Sequence, residues 1–106
     1  MSDETPRVET LAELVAYQPG SVVSRQLVKK PAGNVTLFAF AEGEGLSEHT
    51  APFDALVVVL DGEAEVSIDG APYTVRAGES LLLPAHHPHA LRAAERFKMM
   101  LVMIRA

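Results

Sequence analysis

The sequence predicts an all-β fold, an antiparallel β-barrel entered through a short amino-terminal helical turn. Three observations predict it. From Ser21 onward, β-branched and apolar runs are broken by Gly, Pro or Asp-Gly at a spacing of about 8–12 residues, the texture of sandwiches and barrels. Asp61-Gly62 and Asp69-Gly70 each stand between two extended runs, and Asp-Gly supplies the positive φ angles that tight hairpins demand. Between these two turns Ala64, Val66 and Ile68 alternate with Glu63, Glu65 and Ser67, so one face of that strand is dry and the other wet.

The elements follow in order. Residues 1–8 read as a loose tail. Thr10, with Glu13 three residues on, forms a capping-box pattern ahead of Leu11, Leu14 and Val15, and Gln18-Pro19-Gly20 ends the turn. The chain therefore divides into a tail and helical turn over 1–20 and a barrel domain over 21–106. Strands are expected at 21–28, 34–41, 46–50, 55–61, 63–69, 72–76, 80–84, 87–93 and 97–105. Three runs, Leu56 to Leu60, Leu81 to Leu83 and Met99 to Ile104, are apolar on both faces. A barrel strand has one face toward solvent, so these need a second cover. A partner subunit, making a homodimer, is the economical cover, and the amino-terminal segment folded over the same strands is the alternative.

Length and charge bound the function. One domain of 106 residues is the working unit, and 48% hydrophobic with 22% charged residues is the balance of a folding chain. The net charge of −5, with Lys29-Lys30 as the only basic doublet and that doublet reading as a loop, argues against nucleic-acid or anionic-membrane partners. No apolar run reaches the ~20 residues that span a bilayer, and the polar, acidic start is unlike a signal peptide, so a cytoplasmic location is expected. Cysteine is absent. Chemistry is left to histidine, carboxylates, hydroxyls and amides.

Against this frame the chain resembles the cupin superfamily, the RmlC-like jelly-roll barrels, over residues 43–93. Gly43, His49 and Gly62 fall at the distances of the first cupin motif, and Gly78, Pro84 and His89 at those of the second. His49-Thr-Ala-Pro-Phe-Asp-Ala-Leu and Phe97-Lys-Met-Met-Leu are similar to small single-domain bacterial cupins of the conserved barrel type. The glycines and proline also make sense alone: Gly62 closes a hairpin, Gly78 turns the chain, and Pro84 ends a buried run where an amide donor can be spared. The ligand positions depart from the motif. Ala51 stands for the second histidine, Ala55 for the glutamate, His86 for the second motif's inner glycine and Ala93 for its asparagine.

The resemblance implies that His49 and His89 point inward from adjacent strands, where two imidazoles can meet on one metal. His87 lies two residues before His89, and in an extended strand it shares that face and replaces the imidazole lost at Ala51. The opposing reading is that Pro88 breaks the alternation and leaves His87, and His86 more so, at the rim. Asp54 stands one residue before the missing glutamate and reads as a strand-entry cap, since one residue of register turns a side chain to the other face. His49, His87 and His89 with waters would accept a divalent transition metal: Zn, Ni, Fe or Cu, which imidazole suits, or Mn, which would lean on the waters. Two functions fit: a metal-dependent cupin, such as a dioxygenase or isomerase, or a non-enzymatic cupin that holds a small organic ligand in its barrel.

Overall fold

In a computed structural model, which describes residues 6–106, the barrel is as expected and its wiring differs in one place. Of the expected tail, residues 1–5 lie outside the described residues. Among the described residues a 3₁₀ turn, Leu11–Glu13, precedes eight strands: β1 Val22–Lys30, β2 Gly33–Phe40, β3 Gly45–His49, β4 Phe53–Ile68, β5 Ala71–Arg76, β6 Ser80–Leu83, β7 His89–Arg92 and β8 Phe97–Arg105. All pairings are antiparallel. One half of the rolled sheet runs β1-β2-β8-β4-β6 and the other β5-β4-β7-β3, with β4 shared by both.

The shared strand is where the sequence reading fails. Runs 55–61 and 63–69 were expected as a hairpin about Asp61-Gly62, but they form one 16-residue strand. Pairing with β8 continues through Asp61↔Lys98 and Gly62↔Phe97, with a register shift between Val59 and Asp61. The bulge falls at Leu60, and the positive φ of Gly62, 74°, is spent just beyond it, where β4 leaves β8 and passes from one half of the barrel to the other, not on a turn. Only glycine fits, because a Cβ there would lie 2.4 Å from the Arg96 carbonyl oxygen. Asp69-Gly70 does turn the chain, with φ of 53° and 80° between the paired Ile68 and Ala71, as a two-residue hairpin of the primed type requires.

Inward faces of the two halves meet in one core. Phe40, Phe97, Met99, Val57, Val59 and Leu83 from the first half pack with Ala64, Val66, Val75 and Leu91 from the second. Phe40 stacks on Phe97 with ring centroids 4.6 Å apart. The alternation read from Ala64 and Val66 holds, with both buried and Glu63 and Glu65 outside.

Both covers imagined for the two-faced strands have something to explain. The amino-terminal segment covers part of the outer face: Leu11, Leu14, Val15 and Tyr17 pack on Leu37, Ala39, Leu60 and Met100. Tyr17 pins it, donating its hydroxyl to Asp61 at 2.5 Å and lying under the Arg96 guanidinium, 4.4 Å from the ring. Burial, and then the Asp61 carboxylate, hold that phenol well above the usual tyrosine range. The capping box does not form, because in a 3₁₀ turn the Glu13 amide already donates to the Thr10 carbonyl, and the Thr10 side chain makes no cap bond. Outside the segment's reach, Val28, Val35, Val102, Leu56 and Leu82 stand in register across five strands, a row of apolar side chains on the outer face. Leu82 is 55% and Val28 44% exposed. No helix among the described residues is long and apolar enough to cross a membrane.

Candidate functional site

The inner face is sealed at one end and open at the other. Phe40, Phe97 and Met99 are fully buried, whereas Leu101, Met103 and Thr36, inward-facing further along the same strands, remain partly accessible. That open end is bounded by two loops, 50–52 between β3 and β4, and 84–88 between β6 and β7. The loops are tied together. The His86 amide donates to the Ala51 carbonyl at 2.9 Å, and the Ala85 amide to Asp54 Oδ1 at 2.9 Å. Asp54 thus caps the loop from the outer face, as its register suggested, and does not face the barrel interior. His86 occupies the motif's glycine position and keeps the glycine's left-handed backbone, φ 66°, a conformation that histidine tolerates better than most side chains.

His49 ends β3 and His89 begins β7 at opposed register positions, and their rings meet edge to face with centroids 4.4 Å apart. His89 follows the inward parity of Leu91 and Val66 and is 7% exposed, while His49 stands at the mouth. Each ring is oriented by main chain: His49 Nδ1 lies 2.7 Å from the Ser47 carbonyl oxygen, and His89 Nδ1 lies 3.2 Å from that of His87. A carbonyl only accepts, so both Nδ1 atoms carry hydrogen, and in the neutral ring Nε2 keeps a free lone pair. Burial, and next the proximity of His49, push the His89 imidazole below the usual histidine range, against the opposing pull of its bond to the His87 carbonyl. The site therefore offers electron pairs.

His87 is not brought to this pair. Its Nδ1 lies 2.8 Å from Asp69 Oδ2, and both side chains are about half exposed, so the ring is engaged at the rim by the β4–β5 turn. The physical reason is the one Pro88 supplies, since strict alternation starts only at His89. Among the described residues no group of three or more His, Cys, Asp or Glu side chains is placed to hold a metal ion. Two imidazole nitrogens fall short of the three protein ligands of an open catalytic site and the four of a closed one, so an ion held there would have to complete its shell from water or a ligand. Where the motif has donors, Ala55 is packed in the apolar core and Ala51 lies in the 50–52 loop with no donor to offer. One feature escaped the sequence reading: Lys29-Lys30, expected in a loop, ends β1, and with Arg105 it borders the same open end. A basic doublet beside Pro31 gave no signal of that placement.

Residues 36–105 match the cupin domain family. The chain belongs to the cupin family. A conserved protein of unknown function from Streptococcus pyogenes superposes with a TM-score of 0.92 at 36% identity, over 98% of this chain and 91% of that one. A cupin 2 conserved barrel domain protein from Leptotrichia buccalis is 50% identical with a TM-score of 0.87, over 90% of this chain and 46% of that one. The polyketide synthase CurC of Streptomyces cyaneus is 34% identical over 62 residues, 58% of this chain and 40% of that one. The cupin thus spans about two fifths of the length of the curated relatives it matches.

Proposed function

We propose that this cupin binds a divalent transition ion, Zn, Ni, Fe, Mn or Cu, at the open end of its barrel through Nε2 of His49 and His89. The observation that carries the reading is the pair of rings 4.4 Å apart with both Nδ1 atoms committed to carbonyl oxygens. Such a bond from Nδ1 to a main-chain carbonyl fixes the tautomer and aims the free nitrogen, which is how ligating histidines are prepared. The depressed basicity of His89 acts in the same direction, because only neutral imidazole ligates. A bound ion would supply Lewis acidity to a small molecule entering the mouth. His87 would have to leave Asp69 to join as a third nitrogen. Calorimetric titration of Ni²⁺ or Zn²⁺ into untagged protein tests this. His49→Ala with His89→Ala should abolish binding and His87→Ala should leave it intact; unchanged binding in the double variant would sink the proposal.

A second reading is favoured by a specific observation, the alanines at 51 and 55. Neither supplies a donor, and Ala55 with Phe38, Leu101, Met103 and Ile68 makes an apolar lining that suits an organic ligand held without metal. Its donor hydrogens would then meet the two Nε2 atoms. Ligand affinity that survives chelation and dialysis would decide for it. The cytoplasmic location and homodimer belong to the same proposal, the dimer resting on the exposed row from Val28 to Leu82.

A further inference from the structure

The rim beside the histidines gathers cations in a chain whose net charge is −5. Lys29, Lys30 and Arg105, with Pro31, Asn34 and Phe53, line a hollow of about 500 Å³, and among the described residues no carboxylate side chain lines it. Register places it at the open end. Lys29 pairs with Asn34, Asn34 with Met103, and Phe53 with Arg105, all sharing the inward parity of Ala55 and Met103. Phe53 begins where the loop from His49 ends, so the hollow and the histidine pair share one end of the barrel.

Arg105 is held in position. Its amide donates to the Ala32 carbonyl at 2.8 Å, its Nε to the Pro31 carbonyl at 3.4 Å, and its guanidinium carbon stands 4.9 Å from the Phe53 ring centre. One of five guanidinium N–H groups is thereby used, and the others remain for a ligand. Ion pairs among the described residues join Arg76 to Glu63, Arg92 to Glu65, His87 to Asp69 and Arg7 to Glu9. None engages Lys29, Lys30 or Arg105. Three unpaired like charges around a concave surface repel one another, and an anion seated among them relieves that repulsion.

The geometry points to this hollow as a binding site for a small organic anion, a carboxylate or phosphate ester, whose charge meets Arg105 and the two lysines and whose apolar body lies on Phe53. It names the ligand class for the open end, resting on the reading of that end as the working one, but it needs no metal. Guanidinium offers a planar fork to either anion, and the lysines add point charge.

Phenyl phosphate and benzoate are the probes, titrated by amide chemical-shift mapping in low and raised salt. Benzyl alcohol and inorganic phosphate serve as the neutral and bare-anion controls. Phenyl phosphate or benzoate, or both, should shift residues around Phe53 and Arg105, weaken at least about tenfold in Arg105→Gln and in the doubly substituted Lys29→Gln, Lys30→Gln, and weaken with salt, as unburied charge contacts do. The lysines are exposed, so the second variant keeps the fold even if the first does not. Loss of metal binding in His49→Ala with His89→Ala, while the anion still binds, separates the two sites. The inference is overturned if neither probe binds, if both cation-removal variants bind unchanged, or if inorganic phosphate or benzyl alcohol binds as tightly as the organic anions.

Discussion

Replacing Gly62 by alanine tests the crossing of β4 more sharply than any core truncation. The residue has φ of 74°, where an alanine costs about 1–2 kcal/mol against the right-handed regions. Its Cβ would also meet the Arg96 carbonyl oxygen at 2.4 Å, backbone against backbone, with Phe97 Cα at 3.1 Å behind it. No rotamer relieves that contact, so β8 must move, at the roughly 1–3 kcal/mol typical of overpacked sites. The sum is about 3 kcal/mol, and at about 4–8 °C per kcal/mol for a domain of this size the melting temperature should fall by about 12–24 °C. Gly20→Ala is the control. Its φ is 69°, but nothing lies within 4 Å of the added Cβ, so it carries the conformational cost alone. Paired thermal melts followed by circular dichroism read the difference. Equal losses in the two variants would mean that Gly62 does not sit tightly against β8, and the crossing of β4 between the barrel halves would not be as described.

Two further outcomes are expected. Because the folded state holds His89 below its ordinary pKa, the unfolded chain binds the extra proton first, and stability should drop as pH falls below about 6.5, levelling only beneath the depressed folded value. Proton NMR should find the His89 ring titrating at lower pH than free histidine, and His49→Gln should recover only part of the shift, since burial is the larger cause; full recovery would reverse that ranking. Val102→Asp sets a charge at the centre of the exposed apolar row and should convert a dimer to monomer in light scattering with the β spectrum retained. A wild-type chain already monomeric at high micromolar concentration would refute the dimer.

What the sequence made legible is what repeats locally or lies at a fixed offset. Alternation over Glu63–Ile68 needs only the pleat, and Asp69-Gly70 needs only two positive φ angles, so both could be read without knowing what packs against them. Asp61-Gly62 carries the same letters. Its outcome differs because β8 is in reach to pair with both residues, and that neighbour lies over thirty residues away in the chain. The two Asp-Gly pairs are indistinguishable until the third strand is placed. The covered outer face has the same origin: apolar residues on both sides of β8 demand a cover, but only the docking of Tyr17 on Asp61 decides how much the chain itself supplies.

The candidate site divides along the same line. His49 and His89 were legible because glycine and proline spacing fixes the register of β3 and β7, and register alone opposes the two rings. His87 is two residues from His89, yet i+2 places side chains together only where the backbone is extended. Pro88 and the left-handed His86 precede the strand, so the ring swings to Asp69, a residue that its position in the β4–β5 turn had marked as purely conformational. The cationic hollow was hidden for a different reason. Lys29 and Arg105 come from strands separated by β2, and what joins them is a shared parity at one end of the barrel, visible only once Asn34 is seen opposite both Lys29 and Met103. Two loops, 50–52 and 84–88, then bring that end and the histidine pair together, tied by the His86 amide on Ala51. Sites assembled from parity and end-sharing have no spacing signature, so a chain reading finds the imidazoles and passes over the charges that would select what reaches them.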